Sequence, residues 1–158
     1  MGLVHALLAA TIGTALLPGA TAFAASGEAT AQRQRVSINM VLNNATDTGT
    51  FTVSPFPFES GTVSMGGAAF GEEYRYGMTV MNVVRRPTLV GEDGTLRLVQ
   101  RYDESKMQNG VRVQLGTWRI ATGTGAYAGA KGGGRYVGVS MLNGRTFVRQ
   151  EGGVTGLG

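Results

Sequence analysis

The sequence predicts an all-β fold, a sandwich or a barrel. Three observations carry this. Apolar residues recur with period two, most cleanly from Arg35 to Asn43, where Val36, Ile38, Met40 and Leu42 alternate with Ser37, Asn39, Val41 and Asn43. Turn chemistry separates the periodic segments: Asn44 to Gly49, Gly91-Glu92-Asp93-Gly94, Asn109-Gly110 and Asn143-Gly144. After the first 24 residues no segment has a convincing helical period.

The N-terminus reads differently. Leu3 to Leu17 is nearly continuous apolar sequence, Pro18-Gly19 breaks it, and Ala22-Phe23-Ala24 supplies a small-x-small pattern before Ala25. This predicts a secretory signal peptide, residues 1–24, although its first residues carry no Lys or Arg. The apolar run is shorter than the ~20 residues that a membrane span needs. A secreted or cell-envelope protein without a transmembrane span in its mature form is therefore expected. Residues 25–34, small and polar, form a lead-in, and 35–158 is a usual size for one domain with one core.

The elements follow in order. Arg35 to Asn43 is a strand with one apolar face, and Thr50 to Ser54 is a second, with Phe51 and Val53 on one side. Pro55-Phe56-Pro57-Phe58 lacks two ladder donors, so it is a loop or an edge. Phe56 and Phe58 either close one end of the core or form an apolar rim for a partner. Thr62 to Met65 is a short strand, and Tyr74 to Arg85 reads as one long strand ended by Pro87. Thr88 to Val90 extends the pairing, and Thr95 to Tyr102 returns with Leu96, Leu98, Gln100 and Tyr102 on one face. Val111 to Leu115 leads through a bulge at Gly116 into Trp118 and Ile120, which share a face and leave Arg119 on the other. Ala126-Tyr127-Ala128 makes a short helical turn with Tyr127 buried. Lys131-Gly132-Gly133-Gly134 is an open glycine run before a strand from Tyr136 to Leu142. Asn143-Gly144 turns the chain into a return strand from Phe147 to Glu151, and Val154 and Leu157 give a last short pairing.

The stretch Gly116 to Gly138 contains Gly123-x-Gly125-x-x-x-Gly129, close to a dinucleotide fingerprint. Its spacing is wrong, no long helix follows, and no Gly-Lys-Ser/Thr ending is present, so a nucleotide cradle is not expected. The run Gly-Thr-Trp-x-Ile-x-x-Gly-Thr-Gly-Ala-Tyr-Ala-Gly, from Gly116 to Gly129, resembles bacterial secreted proteins related to the allene oxide cyclase and dirigent-like barrels. The resemblance implies a small antiparallel β-barrel of about eight strands with an interior cavity. The matching residues are architectural, and no catalytic constellation of that family matches, so no catalytic residue is carried over.

The chain is cysteine-free, and its single histidine, His5, lies in the expected leader. The mature domain thus lacks Ser-His-Asp and Cys-His machinery and the usual Cys/His zinc sets. The acids are scattered and form no calcium loop, so neither a metal nor a cofactor is expected. The net charge is +4, but the arginines look dispersed in sequence, with Arg97, Arg101, Arg112 and Arg119 on solvent faces. That argues for a solvated exterior and against nucleic acid.

Polar residues on otherwise apolar faces are the candidates to line a ligand cavity: Tyr76, Asn82, Gln100 and Tyr102, with Trp118 beside them. Three functions fit. One is a barrel that binds a small apolar or amphipathic molecule without transforming it. Another is a cofactor-free cyclase or isomerase that shapes a substrate, with Tyr76, Tyr102 or Glu73 polarising it. The third is an envelope interaction module using Phe56 and Phe58 and open strand edges. The sequence chooses no oligomeric state, and an oligomer is compatible with all three.

Overall fold

The strands close into a ring. The computed structural model describes residues 32–55, 59–75 and 78–157. Ten strands follow in order: β1 (Gln34–Asn43), β2 (Thr48–Ser54), β3 (Glu59–Ser64), β4 (Ala68–Arg75), β5 (Met78–Arg85), β6 (Thr88–Gly91), β7 (Thr95–Glu104), β8 (Val111–Gly123), β9 (Lys131–Met141) and β10 (Arg145–Thr155). All pairings are antiparallel. Eight strands, β1-β2-β3-β6-β7-β8-β9-β10, form the closed barrel, and β4 and β5 are additional. Closure removes the sheet edges of the ring. No helix among the described residues is long and apolar enough to cross a membrane.

The two extra strands arise from one long, broken hairpin. The segment β3–β4 runs antiparallel to β5–β6. It breaks at Met65–Gly67 on one side and at Arg86–Pro87 on the other. Gly66 takes φ +62, which favours glycine, and Pro87 has no N–H for a ladder. Below the break β6 pairs with Thr95–Arg97 of β7; beyond it β5 pairs with Gln100–Glu104 along the same edge. The β4–β5 hairpin therefore extends past the ring.

This corrects the expectation of a single strand from Tyr74 to Arg85: Tyr74 and Arg75 end β4, and Met78 begins β5, which runs antiparallel to it. Two further expectations are corrected. The glycine run at Lys131–Gly134 is the first part of β9, its missing side chains compensated by ladders to β8 and β10. Gly116 sits in regular register, opposite both Tyr102 and Tyr136, and the bulge lies instead between Arg97 and Leu98.

Period-two alternation fills the barrel. Val36, Ile38, Met40 and Leu42 of β1 point inward, as do Phe51, Val53, Val63, Leu89, Leu96, Leu98, Trp118, Ile120, Tyr136, Val148 and Val154. Each such side chain contributes about 1.5–3 kcal/mol by leaving water. One end of the interior is apolar and tight. There the 3-10 turn Gly125–Tyr127 brings the buried Tyr127 against Val36, Val53, Ile120 and Val154, leaving a space of only about 10 Å³. The buried aromatic and the inward pair Trp118 and Ile120 stand as the sequence predicts, with Arg119 exposed.

Candidate functional site: a cavity at the polar end of the barrel

The same inward rows become polar toward the opposite end. On β7 the row continues Gln100, Tyr102, Glu104; on β8 it continues Trp118, Gly116, Gln114, Arg112. Register places Tyr136 and Ser140 of β9 and Thr146 of β10 beside them. Tyr102, Glu104, Arg112, Gln114, Tyr136, Ser140 and Thr146 of these rows line a cavity of about 420 Å³. Its polar lining is Asn44, Asp47, Arg85, Tyr102, Glu104, Arg112, Gln114, Tyr136, Ser140 and Thr146. Its apolar lining is Leu42, Met65, Phe70, Met81, Met107 and Met141. Phe70 and Met81 come from β4 and β5, so the extra hairpin supplies part of the wall.

The rings of Tyr102 and Tyr136 stack, with centroids 4.8 Å apart and planes 7° from parallel. From this pair a hydrogen-bond chain runs along the wall. The Tyr136 hydroxyl donates to Gln114 Oε1 at 2.7 Å. Gln114 Nε2 donates to Glu104 Oε2 at 2.7 Å and to Ser140 Oγ at 3.3 Å. Ser140 and Thr146 share a 2.6 Å bond, and Thr146 Oγ1 donates to Asn44 Oδ1 at 2.7 Å. Since Thr146 spends its proton on Asn44, Ser140 is the donor in the pair. Arg112 Nη1 donates to Glu104 Oε1, so both oxygens of that carboxylate are occupied.

Arg85 reaches across to Asp47, Nη1 to Oδ1 at 2.9 Å. Burial works against its charge, but the neighbouring Tyr102 hydroxyl and the Asp47 carboxylate outweigh it and hold its pKa above the ordinary arginine value. Burial pushes the Tyr102 pKa up, and Arg85 offsets only part of that. Burial, with Tyr102 adding to it, raises Tyr136 further. Both phenols are therefore hydrogen-bond donors at neutral pH rather than bases. The buried Nε of Arg112 has no partner among the described residues, leaving one donor uncommitted in the wall.

Of the residues picked from sequence, the cavity gathers one, Tyr102. Gln100 is fully buried one step deeper, and both its side-chain polar atoms lack partners among the described residues. Trp118 belongs to the apolar end, where it packs with Ile120 and Tyr127. Asn82 lies on the other face of β5 from the cavity residues Met81 and Arg85, with its amide donating to Glu73 Oε2 at 3.4 Å. Tyr76, Phe56 and Phe58 lie outside the described residues. Arg112, expected on a solvent face, instead points inward to Glu104. No protein-family model, curated protein or solved structure matches the chain.

The missed residues had a signal. Parity from Trp118 leads back to Gln114 and Arg112, and parity from Tyr102 leads on to Glu104. A charged residue at the end of an inward row is easily assigned to solvent, because its partner on the next strand is not visible in sequence.

Proposed function

We propose that the chain is an exported β-barrel that holds a small amphipathic molecule in the cavity at its polar end, without transforming it. The observation that carries the reading is the mixed composition of the wall: four methionines, Leu42 and Phe70 interspersed with fixed hydrogen-bonding groups. The volume of about 420 Å³ is in the range of small-molecule sites. Methionine walls adapt to chains of differing shape. Arg85 and the Tyr102 hydroxyl offer donors, which suits a head group of acceptors such as a carboxylate or carbonyl. A cyclase or isomerase that abstracts a proton needs a free base in the cavity. Both oxygens of Glu104 are engaged, Asp47 is held by Arg85, and the two tyrosines keep their protons. Binding therefore fits better than catalysis. Export rests on the leader-like residues 1–24, and the resemblance to the allene oxide cyclase and dirigent-like barrels accords with a cavity-bearing barrel.

Isothermal titration with decanoate tests this, using Arg85→Met and the cavity-filling Met81→Trp. Micromolar binding that weakens at least about tenfold, or about 1.4 kcal/mol, in each variant supports the reading. Absence of binding, or equal binding by all three proteins, refutes this head-and-tail assignment.

A second reading, an interaction module, has one observation in its favour. Val41, Phe147, Val139 and Val113 stand in register across the outer faces of β1, β10, β9 and β8, with Leu115 and Val137 in the next row. Leu115 is 58% exposed and Phe147 43%. An apolar sheet face of this kind can pack against the same face of another barrel, so the partner in this reading is a second copy. Light scattering of Leu115→Ser/Phe147→Ser against the unaltered chain tests it, and two monomers would rule it out.

A further inference from the structure

The arginines that look dispersed in sequence converge on the outside of the barrel. Arg33 and Arg35 precede or begin β1, Arg135 lies on β9, and Arg149 lies on β10. The four line one surface groove of about 850 Å³, together with Ser37, Ser54, Pro55, Glu151 and the glycines 134, 152 and 153. The register explains the meeting: Arg35 pairs with Gly153, Arg135 with Glu151, and Ser37 with both Ser54 and Glu151. The floor is bare backbone where Gly152 faces Gly134 and Gly153 faces Gly133. Arg33 lies flat over it, since a β-carbon on Gly153 would fall 2.1 Å from Arg33 Nε.

The charges here are not balanced as they are in the mouth cavity. There Arg85 has Asp47 and Arg112 has Glu104. In the groove only Arg149 has an acid partner, Glu151; Arg33, Arg35 and Arg135 have none among the described residues. Unpaired guanidinium groups held near one another repel and favour a shared anion. Arginine's planar fork matches phosphate oxygens two at a time, and the hydroxyls of Ser37 and Ser54, residues opposite each other in register, add donors. Among the described residues no aromatic side chain lines the groove, and its charged and hydroxyl donors suit phosphate oxygens.

We propose that this groove is a second binding site, for a ligand carrying two or more phosphate groups. The site is independent of the mouth cavity, and its test does not depend on what that cavity holds. The free anion and the lipid headgroup share this chemistry, and the experiment separates them.

The full chain is titrated with tripolyphosphate by calorimetry and sedimented with vesicles of phosphatidylglycerol or phosphatidylcholine. Arg35→Glu/Arg135→Glu is compared with Arg97→Glu/Arg101→Glu, which makes the same change of net charge on the outer face of β7. Arg35→Gln/Arg135→Gln replaces the first variant should it fail to fold by circular dichroism. The expected result is binding of tripolyphosphate that falls at least about tenfold in the groove variant and less than about threefold in the control. The same pattern with phosphatidylglycerol vesicles alone assigns the phosphates to a lipid surface. Equal losses in both variants, or no binding of either probe by the unaltered chain, overturn the proposal.

Discussion

The hydroxyl of Tyr136 reaches Gln114 Oε1 at 2.7 Å through space that exists because residue 138 has no side chain. A β-carbon on Gly138 would lie 2.3 Å from that same oxygen and 2.9 Å from the hydroxyl. Gly138→Ala must therefore displace Gln114, which also holds Glu104 and Ser140. The expected cost is about 1–3 kcal/mol. Urea unfolding checks it, and an unchanged midpoint would mean that the chain of hydrogen bonds along the wall does not restrain the fold.

Alkaline titration reads the tyrosine pair. The pKa values of both Tyr102 and Tyr136 are raised by burial. Between the ordinary value of 10.0 and the raised values the folded chain keeps protons that the unfolded chain releases. Stability is thus intact below about pH 10 and falls as pH rises beyond it. Tyrosinate absorbance should show these phenols ionising only as the barrel unfolds. Ionisation of every tyrosine near the ordinary value, with the fold intact, would contradict the buried stack.

Glu59 gives a dependence in the acid range. Its carboxyl lies over Gly91, where a β-carbon would meet Oε1 at 1.7 Å, and it accepts the Asp93 N–H at 3.1 Å. Burial raises its pKa; the Asp93 N–H lowers it in part, while the carboxylates of Asp93 and Glu92 raise it. The folded state therefore holds this proton more tightly, and stability falls as pH rises from the ordinary 4.5 through the folded value. Glu59→Gln keeps the acceptor and removes the charge. It should be more stable than the unaltered chain at neutral pH, with the gain fading in acid as the carboxylate of the unaltered chain takes up its proton. Equal stability of the two proteins at neutral and at acid pH would contradict this.

Gln100 and Gln150 sit fully buried in the barrel, and none of their amide atoms has a hydrogen-bond partner among the described residues. Replacing either by Met keeps the volume and removes the desolvated amide. Thermal unfolding of each variant should show a gain of about 1–3 kcal/mol. A loss of that size would mean that the amides are satisfied within the core.

The sequence exposes the alternation that builds this barrel but not the pairings that build its site. Trp118 and Ile120 share a face by parity alone, and two buried polar groups, Gln100 and Tyr102, can be found by continuing the row Leu96, Leu98. Parity fails at Asn82, because β4 and β5 are two antiparallel strands rather than one, which resets the count and puts Asn82 opposite Asp103 on the outer face. The glycines 132 to 134 look like a loop because glycine alone is a poor strand former, whereas two flanking strands supply the missing order. The contacts that define the cavity join distant positions, Arg85 to Asp47 and Thr146 to Asn44, and only closure of the ring brings them together. The basic groove is hidden for the same reason: its arginines lie on three segments that meet in register.

The most direct test of the central claim is native mass spectrometry of the protein purified from its own host, beside Arg85→Met prepared in the same way. The account predicts a reproducible added mass of one small molecule that is lost on denaturation and depleted in the variant. A bare protein mass for the unaltered chain, or an added mass retained equally by Arg85→Met, would contradict a ligand held in the cavity by its polar wall.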